Sequence, residues 1–319
     1  MTSELHDQLQ MTLGNAYHVE RELAGGGMAH VFLAEEEALK RRVVVKVLAP
    51  DLAQAVSIER FKREIKLAGH LNHPHIVPVL SAGQSSELLY YTMPLIEGET
   101  LRALIDRERQ LPLELALMLT ADIADALDCA HRENVVHRDI NPENILIERT
   151  TGHALVTDFG IARAIEKSSD IASVTSTGLT LGTPTYMSPE QAAAERHIDG
   201  RSDIYSLGCV LYEMLGGSPP FTGPTARAII AQHLNERPRS LHVVRPDLPT
   251  HVDEALQKAL AKAPADRHAS GAALLAELKR TTPTPPPAPL VRRGLPWRVV
   301  ASVLLLLAVL LTLYRITRH

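Results

Sequence analysis

The chain has 319 residues, enough for two ordinary domains or one two-lobed domain with a substantial core. Its 45% hydrophobic and 22% charged content is typical of a globular protein, and only two cysteines exclude a disulfide-stabilised secreted scaffold. The net charge of −4 is unevenly spread: residues 281–319 contain five arginines and no acid, whereas residues 1–280 carry 28 basic and 37 acidic residues, a net −9. An acidic body is a poor partner for nucleic acid, and the cysteine content indicates a reducing, intracellular compartment.

The first 95 residues have mainly a strand pattern. Residues 1–16 lack a basic segment followed by an apolar one, so they contain no secretory signal and are predicted to be an N-terminal extension. Apolar runs bounded by glycine, proline or charge predict strands at 17–23, 29–34, 43–48 and 88–93. One helix is predicted at 56–71 from the spacing of Ile58, Phe61, Ile65 and Ala68.

The pattern changes to a helical period from about residue 100 to residue 280, as in the series Leu115, Leu119, Ile123 and Leu127. A small β-rich lobe with one helix (17–95) is therefore followed by a larger α-rich lobe (96–280). This order predicts an α+β fold with a cleft between the lobes, where ligand sites often lie.

The C-terminal residues divide into a linker, an apolar run and a short tail. Residues 281–289 contain five prolines, so 281–296 is predicted to be an extended spacer. Residues 299–314 carry no charge, and with Trp297 and flanking arginines they predict a transmembrane helix at 297–314, followed by a tail at 315–319. A buried terminal helix is the alternative. An interfacial helix is disfavoured because the run has no polar face.

Two candidate phosphate-binding features occur in the β-rich part. The segment from Leu23 to Val31 has three consecutive glycines between two strands; such a loop can cover a nucleotide, although a tight hairpin explains it equally well. Lys46 lies within a β-branched run, where Glu64 on the following helix could supply a partner charge. A surface lysine on an edge strand is the alternative.

A third motif makes the pattern specific. His137-Arg138-Asp139 is followed by Asn144 and, 14 residues later, by Asp158-Phe159-Gly160. A carboxylate that can accept a hydroxyl proton, an amide oxygen and a second carboxylate thus occur at the spacing typical of phosphoryl transfer. Asn144 and Asp158 are hard oxygen ligands suited to Mg²⁺.

Residues 17–280 resemble the protein kinase family, in particular the eukaryotic-type serine/threonine kinases of bacteria. The resemblance rests on the motifs above and on the segments His-Leu-Asn-His-Pro-His-Ile-Val at 70–77 and Gly-Thr-Pro-Thr-Tyr-Met-Ser-Pro-Glu-Gln at 182–191. It implies the two-lobed protein kinase fold and the use of ATP with Mg²⁺ or Mn²⁺.

The resemblance also implies roles for individual residues. Lys46 would hold the α- and β-phosphates and pair with Glu64, Asp139 would orient the substrate hydroxyl and accept its proton, and Asn144 and Asp158 would coordinate the metal ions. Further residues would form the nucleotide pocket, with Met93 as gatekeeper: Leu23, Ala24, Gly25, Gly26, Gly27, Met28, Ala29, Val31, Val44, Met93 and Leu95. Structural or substrate-positioning roles fall to Arg138, Asn141, Thr183, Glu190, Asp203 and Arg267, with Glu190 paired to Arg267 and Asp203 bracing the catalytic loop.

Several positions depart from the family pattern. Ala24 and Ala29 replace the first and third glycines of the phosphate loop, and Val44 replaces the usual alanine above adenine. Asn141 occupies the position of the lysine that contacts the transferring phosphoryl group in serine/threonine kinases. Losing one preorganised charge contact can cost about 10²–10³ in rate, so slow activity is compatible with this sequence.

The segment between Gly160 and Ser188 is rich in hydroxyl groups, a composition that usually indicates a solvated polar loop. In the family, this position is the activation loop. Thr175 and Thr177 lie where related bacterial kinases autophosphorylate, Arg138 is the type of residue that engages a loop phosphate, and Thr183 is expected near Asp139.

Two other residue clusters receive structural interpretations. His70, His73 and His75 are close in sequence, but no neighbouring cysteine or acid completes a metal site, so metal binding is not predicted there. Cys129 and Cys209 fall within apolar helical patterns and are expected to pack in the core.

The favoured hypothesis is a membrane-tethered serine/threonine kinase that phosphorylates protein hydroxyls and its own activation loop. Its single membrane span would leave the kinase domain in the cytoplasm. Its partners would be protein substrates and the membrane rather than nucleic acid. The family resemblance also makes a homodimer a candidate assembly. One alternative is an ATP-binding pseudokinase scaffold, suggested by Asn141 and the missing glycines. A membrane adaptor that binds no nucleotide is a third hypothesis.

Overall fold

The structure, a computed structural model, describes residues 2–26, 29–49, 58–85, 88–159 and 184–280. Several sequence predictions lie outside the described residues: Gly27, Met28, Thr175, Thr177, Thr183, the linker 281–296, the membrane helix 297–314 and the tail 315–319. Within the described ranges, no helix is long and apolar enough to cross a membrane.

The small lobe is built on a five-stranded antiparallel sheet with the strand order β1-β2-β3-β5-β4. Its elements are α1 (Thr2–Leu13), β1 (Tyr17–Gly26), β2 (Ala29–Glu36), β3 (Arg41–Leu48), α2 (Ile58–Ala68), β4 (Ser81–Gln84) and β5 (Leu89–Pro94). The four predicted strands and the predicted helix are confirmed with small changes at their ends. Strand β4 was not predicted, because Ser81–Gln84 has no apolar run.

Among the described residues of 17–95 the predicted single helix is confirmed as α2, and the N-terminal extension forms a further helix, α1, that was not predicted. Leu5, Leu9 and Leu13 recur every four residues, so they lie on one face of that helix and are buried against the sheet. Gln10 fixes this docking: its amide nitrogen donates to the Tyr17 carbonyl (2.9 Å) and its amide oxygen accepts from the Val19 N–H (2.8 Å). The extension is therefore part of the small lobe.

The side chains of strand β3 alternate between two apolar layers on opposite faces of the sheet. Val43, Val45 and Val47 pack with the leucines of α1, whereas Val44 belongs to the cluster on the opposite face of the sheet. Because side chains alternate along a strand, Lys46 points to the same face as Val44. The sequence pattern of β3 thus places the lysine on the cleft side of the sheet.

The large lobe is mainly helical, with a small antiparallel sheet at its edge in the order β6-β7-β8. Its strands are β6 (Gly98–Thr100), β7 (Ile145–Glu148) and β8 (Ala154–Val156). Its helices are α3 (Leu101–Glu108), α4 (Leu113–Arg132), α5 (Pro189–Ala192), α6 (Arg201–Gly216), α7 (Ala226–Asn235), α8 (Thr250–Ala259) and α9 (Gly271–Leu278). Single 3₁₀ turns occur at Pro142–Asn144, Pro184–Tyr186, Leu241–Val243 and Pro264–Asp266.

Helices α4 and α6 form the centre of the large-lobe core. Nearly every side chain of α6 is buried, and Leu119, Ile123 and Leu127 of α4 lie in the same cluster. Cys209 is fully buried on α6 and Cys129 packs at the edge of the core, as predicted. This rigid base carries the loop between α4 and β7 that contains Asp139.

Candidate active site

The hairpin β1–β2 contains the candidate phosphate loop. Gly25 lies opposite His30 in the antiparallel register, and the His30 ring nitrogen is 2.7 Å from a carboxylate oxygen of Glu22. A Cβ atom at position 25 would lie 2.0 Å from that oxygen, so a larger residue here would displace the Glu22 side chain from His30. Ala24 is opposite Val31 and Gly26 is opposite Ala29, so both alanine replacements fit an ordinary strand pairing.

A cluster of apolar side chains packs beside this hairpin. The predicted pocket residues Val31, Val44, Met93 and Leu95 belong to one cluster, to which β7 and β8 contribute Leu146 and Leu155. These two leucines line the large-lobe side and were missed from sequence. Leu146 follows Asn144 by two residues on an apolar strand, and that signal could have identified it. Leu23 is 39% exposed at the edge of β1.

Lys46 and Asp158 meet between the lobes. The Lys46 ammonium donates to Asp158 Oδ2 (2.7 Å), and the Tyr91 hydroxyl donates to Asp158 Oδ1. Burial alone would raise the pKa of Asp158, but the Lys46 charge and the two hydrogen bonds outweigh it and hold that pKa below its ordinary value. The carboxylate is therefore ionised and available to a cation. Burial and the Asp158 charge raise the pKa of Tyr91, which stays a neutral donor.

Lys46 forms an ion pair with Asp158, and the Lys46–Glu64 pair stays a prediction. Glu64 lies on α2, is 5% exposed and lines a cavity shared with Arg138 and Arg196 of the large lobe.

The loop before Asp139 is held from below by Asp203 at the start of α6. This fully buried carboxylate accepts the backbone N–H groups of His137 and Arg138, each at 2.8 Å, and lies 2.7 Å from the His131 ring. Burial would raise the pKa of Asp203, but His131 and these donors lower it below its ordinary value. Burial alone would lower the pKa of His131, but the hydrogen bond and charge of Asp203 outweigh it and raise that pKa above its ordinary value. Asp203 and His131 thus fix the loop.

Asp139 is clamped by two amide side chains. Asn141 donates from Nδ2 to Asp139 Oδ1 and Asn144 donates from Nδ2 to Oδ2, both at 2.9 Å. The Asn141 oxygen also accepts the backbone N–H groups of Glu143 (3.0 Å) and Asn144 (3.1 Å), which caps the 3₁₀ turn. Desolvation by the surrounding lobes raises the pKa of Asp139, although the residue remains open to the cleft, and both amide donors oppose that rise.

Asn144 and Asp158 fit the donor set of a magnesium site. Both contacts of Asn144 with Asp139 use the amide nitrogen, so the hard amide oxygen remains for a cation. The ionised Asp158 carboxylate supplies the second hard ligand, and Mg²⁺ characteristically takes one or two protein oxygens together with phosphates and waters. The residues present therefore suit a metal–nucleotide complex.

Glu190 and Arg267 form a buried pair in the large lobe. Two guanidinium nitrogens of Arg267 donate to the two carboxylate oxygens of Glu190, both at 2.7 Å. The remaining donors reach the backbone carbonyls of Ala261, Arg201 and Lys262. The adjacent Gln191 donates to the Arg138 carbonyl (2.7 Å), which links this pair to the catalytic loop.

Comparison with known proteins agrees with this geometry. Residues 17–278 match the family described as the protein kinase domain. The chain belongs to this family. It is 42% identical over 285 residues to the serine/threonine-protein kinase PknB of Mycobacterium tuberculosis, an alignment that covers 88% of this chain and 45% of the relative. A probable serine/threonine-protein kinase of Clostridium perfringens is 35% identical over 274 residues, covering 86% and 39%.

A third relative, a probable serine/threonine-protein kinase of Streptomyces coelicolor, is 42% identical over 263 residues, covering 81% of this chain and 38% of the relative. The chain thus spans less than half the length of these relatives. All three are described as kinases, which gives the pseudokinase alternative no support.

Proposed function

We propose that this chain is a serine/threonine protein kinase that transfers the γ-phosphoryl group of ATP to hydroxyl groups of protein substrates. The observation that carries the proposal is the position of Asp139, which is held by Asn141 and Asn144 in the cleft that also contains the Lys46–Asp158 pair. A carboxylate in this position can orient a hydroxyl and accept its proton.

The chain's own residues perform four tasks in this mechanism. The apolar pocket of Val44, Met93 and Leu146 receives the adenine ring, and Lys46 holds phosphate oxygens. Asn144 and Asp158 would hold Mg²⁺ or Mn²⁺, which neutralises charge on the phosphates when bound. Asp139 takes the proton of the attacking hydroxyl. Since kinases also need the lysine–glutamate pair, activity requires Lys46 to pair with Glu64.

The direct test is phosphoryl transfer by the purified full chain. With labelled ATP and Mg²⁺ or Mn²⁺ we expect transfer to a generic protein substrate, and loss of that transfer in Asp139→Asn. Asp247→Asn is the matched control, because this carboxylate is 79% exposed. Nucleotide binding without transfer in the unmodified chain would refute the proposal and favour the scaffold.

Asn141→Lys tests the main departure from the family. If the missing lysine contact limits the rate, this variant should transfer faster than the unmodified chain, by up to the roughly 10²–10³ that one preorganised contact contributes. An equal or slower rate would indicate that Asn141 has taken over a positioning role through its bond to Asp139.

We further propose that a helix at 297–314 tethers the kinase to the cell membrane, with the catalytic body in the cytoplasm, and that Thr175 or Thr177 is autophosphorylated between neighbouring copies. The uncharged run and its flanking arginines support the anchor. Confinement raises the effective concentration of one copy near another. Deleting residues 290–319 should therefore release the chain from membranes and slow autophosphorylation at low protein concentration; an unchanged rate would remove this role.

A further inference from the structure

A cluster of histidine and aspartate side chains lies outside the candidate active site. His75 comes from the loop between α2 and β4, Asp122 from α4, and His153 from the turn before β8. One potential ligand atom from each residue lies within 4.8 Å of the other two. Three segments that are distant in sequence therefore converge on one point.

One of the two distances in the cluster is close to that of a zinc site. His75 Nε2 is 3.5 Å from Asp122 Oδ1, and tetrahedral Zn²⁺ with bonds of about 2.0–2.2 Å holds its ligand atoms about 3.4 Å apart. His153 Nδ1 is 2.9 Å from the other oxygen, Asp122 Oδ2, which is a hydrogen-bond distance. Zinc binding therefore requires the half-exposed His153 to shift and exchange this hydrogen bond for a bond to the metal.

The surroundings orient the ligands as metal sites require. His75 Nδ1 is 2.9 Å from the Ala154 carbonyl, so Nδ1 is the donor of this hydrogen bond and Nε2 faces the cluster. The Ala154 N–H donates to Asp122 Oδ2 (2.9 Å), which orients the carboxylate. A histidine bound through one ring nitrogen and anchored through the other by a backbone carbonyl is the usual arrangement at zinc sites.

The neighbouring His73 supports the loop and is not a ligand. Its Nδ1 accepts the backbone N–H of His75 (3.2 Å), so its Nε2 carries the proton and faces Asp125 Oδ2 at 3.2 Å. His70, His73 and His75 were not predicted to bind a metal, because no adjacent acid completes a site. In the fold, however, the acid comes from α4 and a second histidine comes from the β7–β8 turn.

We propose that His75, Asp122 and His153 form a Zn²⁺-binding site separate from the catalytic metal site, with water in the fourth position. Two imidazoles and one carboxylate are ligands typical of zinc with an open coordination position. Bound zinc ties the loop that follows α2 to α4 and to the turn before β8. Because α2 carries Glu64, zinc restrains the connection of that helix to the large lobe.

The test uses the full chain, freed of affinity tags and stripped of metal with a chelator, in excess Mg²⁺ to occupy oxygen ligands in the cleft. Zinc uptake is measured by competition with a chromophoric chelator, and Co²⁺ is added in parallel to record the visible bands of tetrahedral cobalt. We expect one zinc ion per chain. His153→Ala should weaken binding by more than about 100-fold, since losing an outer partner alone costs about 10–100-fold.

His153→Ala is the primary variant because this side chain is half exposed and its removal is compatible with folding. His70→Ala is the matched control, because His70 is exposed on the same loop as His75 but lies outside the cluster. Zinc should raise the melting temperature of the wild type and of His70→Ala but not of His153→Ala. Absence of zinc and cobalt uptake by the wild type, or equal uptake by His153→Ala, would overturn the proposal. The cluster would then be a hydrogen-bonded group of purely structural role.

Discussion

Replacing Asn141 with aspartate tests how this chain holds its catalytic carboxylate. The substitution keeps an acceptor oxygen for the N–H groups of Glu143 and Asn144, so the cap of the 3₁₀ turn remains. It removes the donor that lies 2.9 Å from Asp139 Oδ1 and places a second negative charge there. Asn141→Asp therefore keeps the cap of the turn and removes only the hydrogen bond to Asp139.

The expected magnitude follows from the contact distance. Two charges about 4 Å apart at an effective dielectric constant of about 20 repel by about 4 kcal/mol, and solvent in the open cleft reduces this value. A pKa change of one corresponds to about 1.4 kcal/mol, so the pKa of Asp139 should rise by at least about 1. Asp139 must be ionised to accept a proton. The acid limb of the kcat/KM profile should therefore move to higher pH by at least about one pH unit.

The assay is kcat/KM against pH for the wild type, Asn141→Asp and Asn141→Ala, together with urea unfolding of each. Asn141→Ala removes the donor without adding charge, so its acid limb should move in the same direction by less. It also removes the cap, which should lower the free energy of unfolding by about 0.5–2 kcal/mol. A folded Asn141→Asp variant whose acid limb coincides with that of the wild type would refute the proposed coupling between Asn141 and Asp139.

Three further predictions concern stability and nucleotide binding. Arg267→Ala leaves the buried Glu190 carboxylate without its partner and should lower the free energy of unfolding by about 3–5 kcal/mol. Arg107→Ala breaks an exposed pair and should change urea unfolding far less. Similar losses in the two variants would contradict a stabilising role for the buried pair. Leu9→Ala should cost about 2–5 kcal/mol by opening a cavity under α1, and an unchanged urea midpoint would show that the helix is not docked. Leu146→Phe should raise the KM for ATP, and an unchanged KM in the folded variant would exclude Leu146 from the adenine pocket.

The parts of the site that sequence predicted well are those built from local geometry. Asp139, Asn141 and Asn144 are within five residues, so one turn places their side chains together, and the motif spacing encodes that turn. The alternation of β3 similarly fixes which face Lys46 occupies. Where the side-chain period or a single turn determines the arrangement, residue order is sufficient.

Contacts between distant segments escaped the same analysis for a physical reason. Tyr91 and Asp158 are 67 residues apart, and nothing in either segment specifies that the phenol and the lysine share one carboxylate. The partner of Lys46 depends on where α2 packs, a tertiary property that residue spacing does not determine. The same argument applies to Asp122 and His153, whose side chains approach His75 only after α4 and the β7–β8 turn have packed together. Local motifs therefore identify the residues of the proposed chemistry, whereas the charges around them are set by packing.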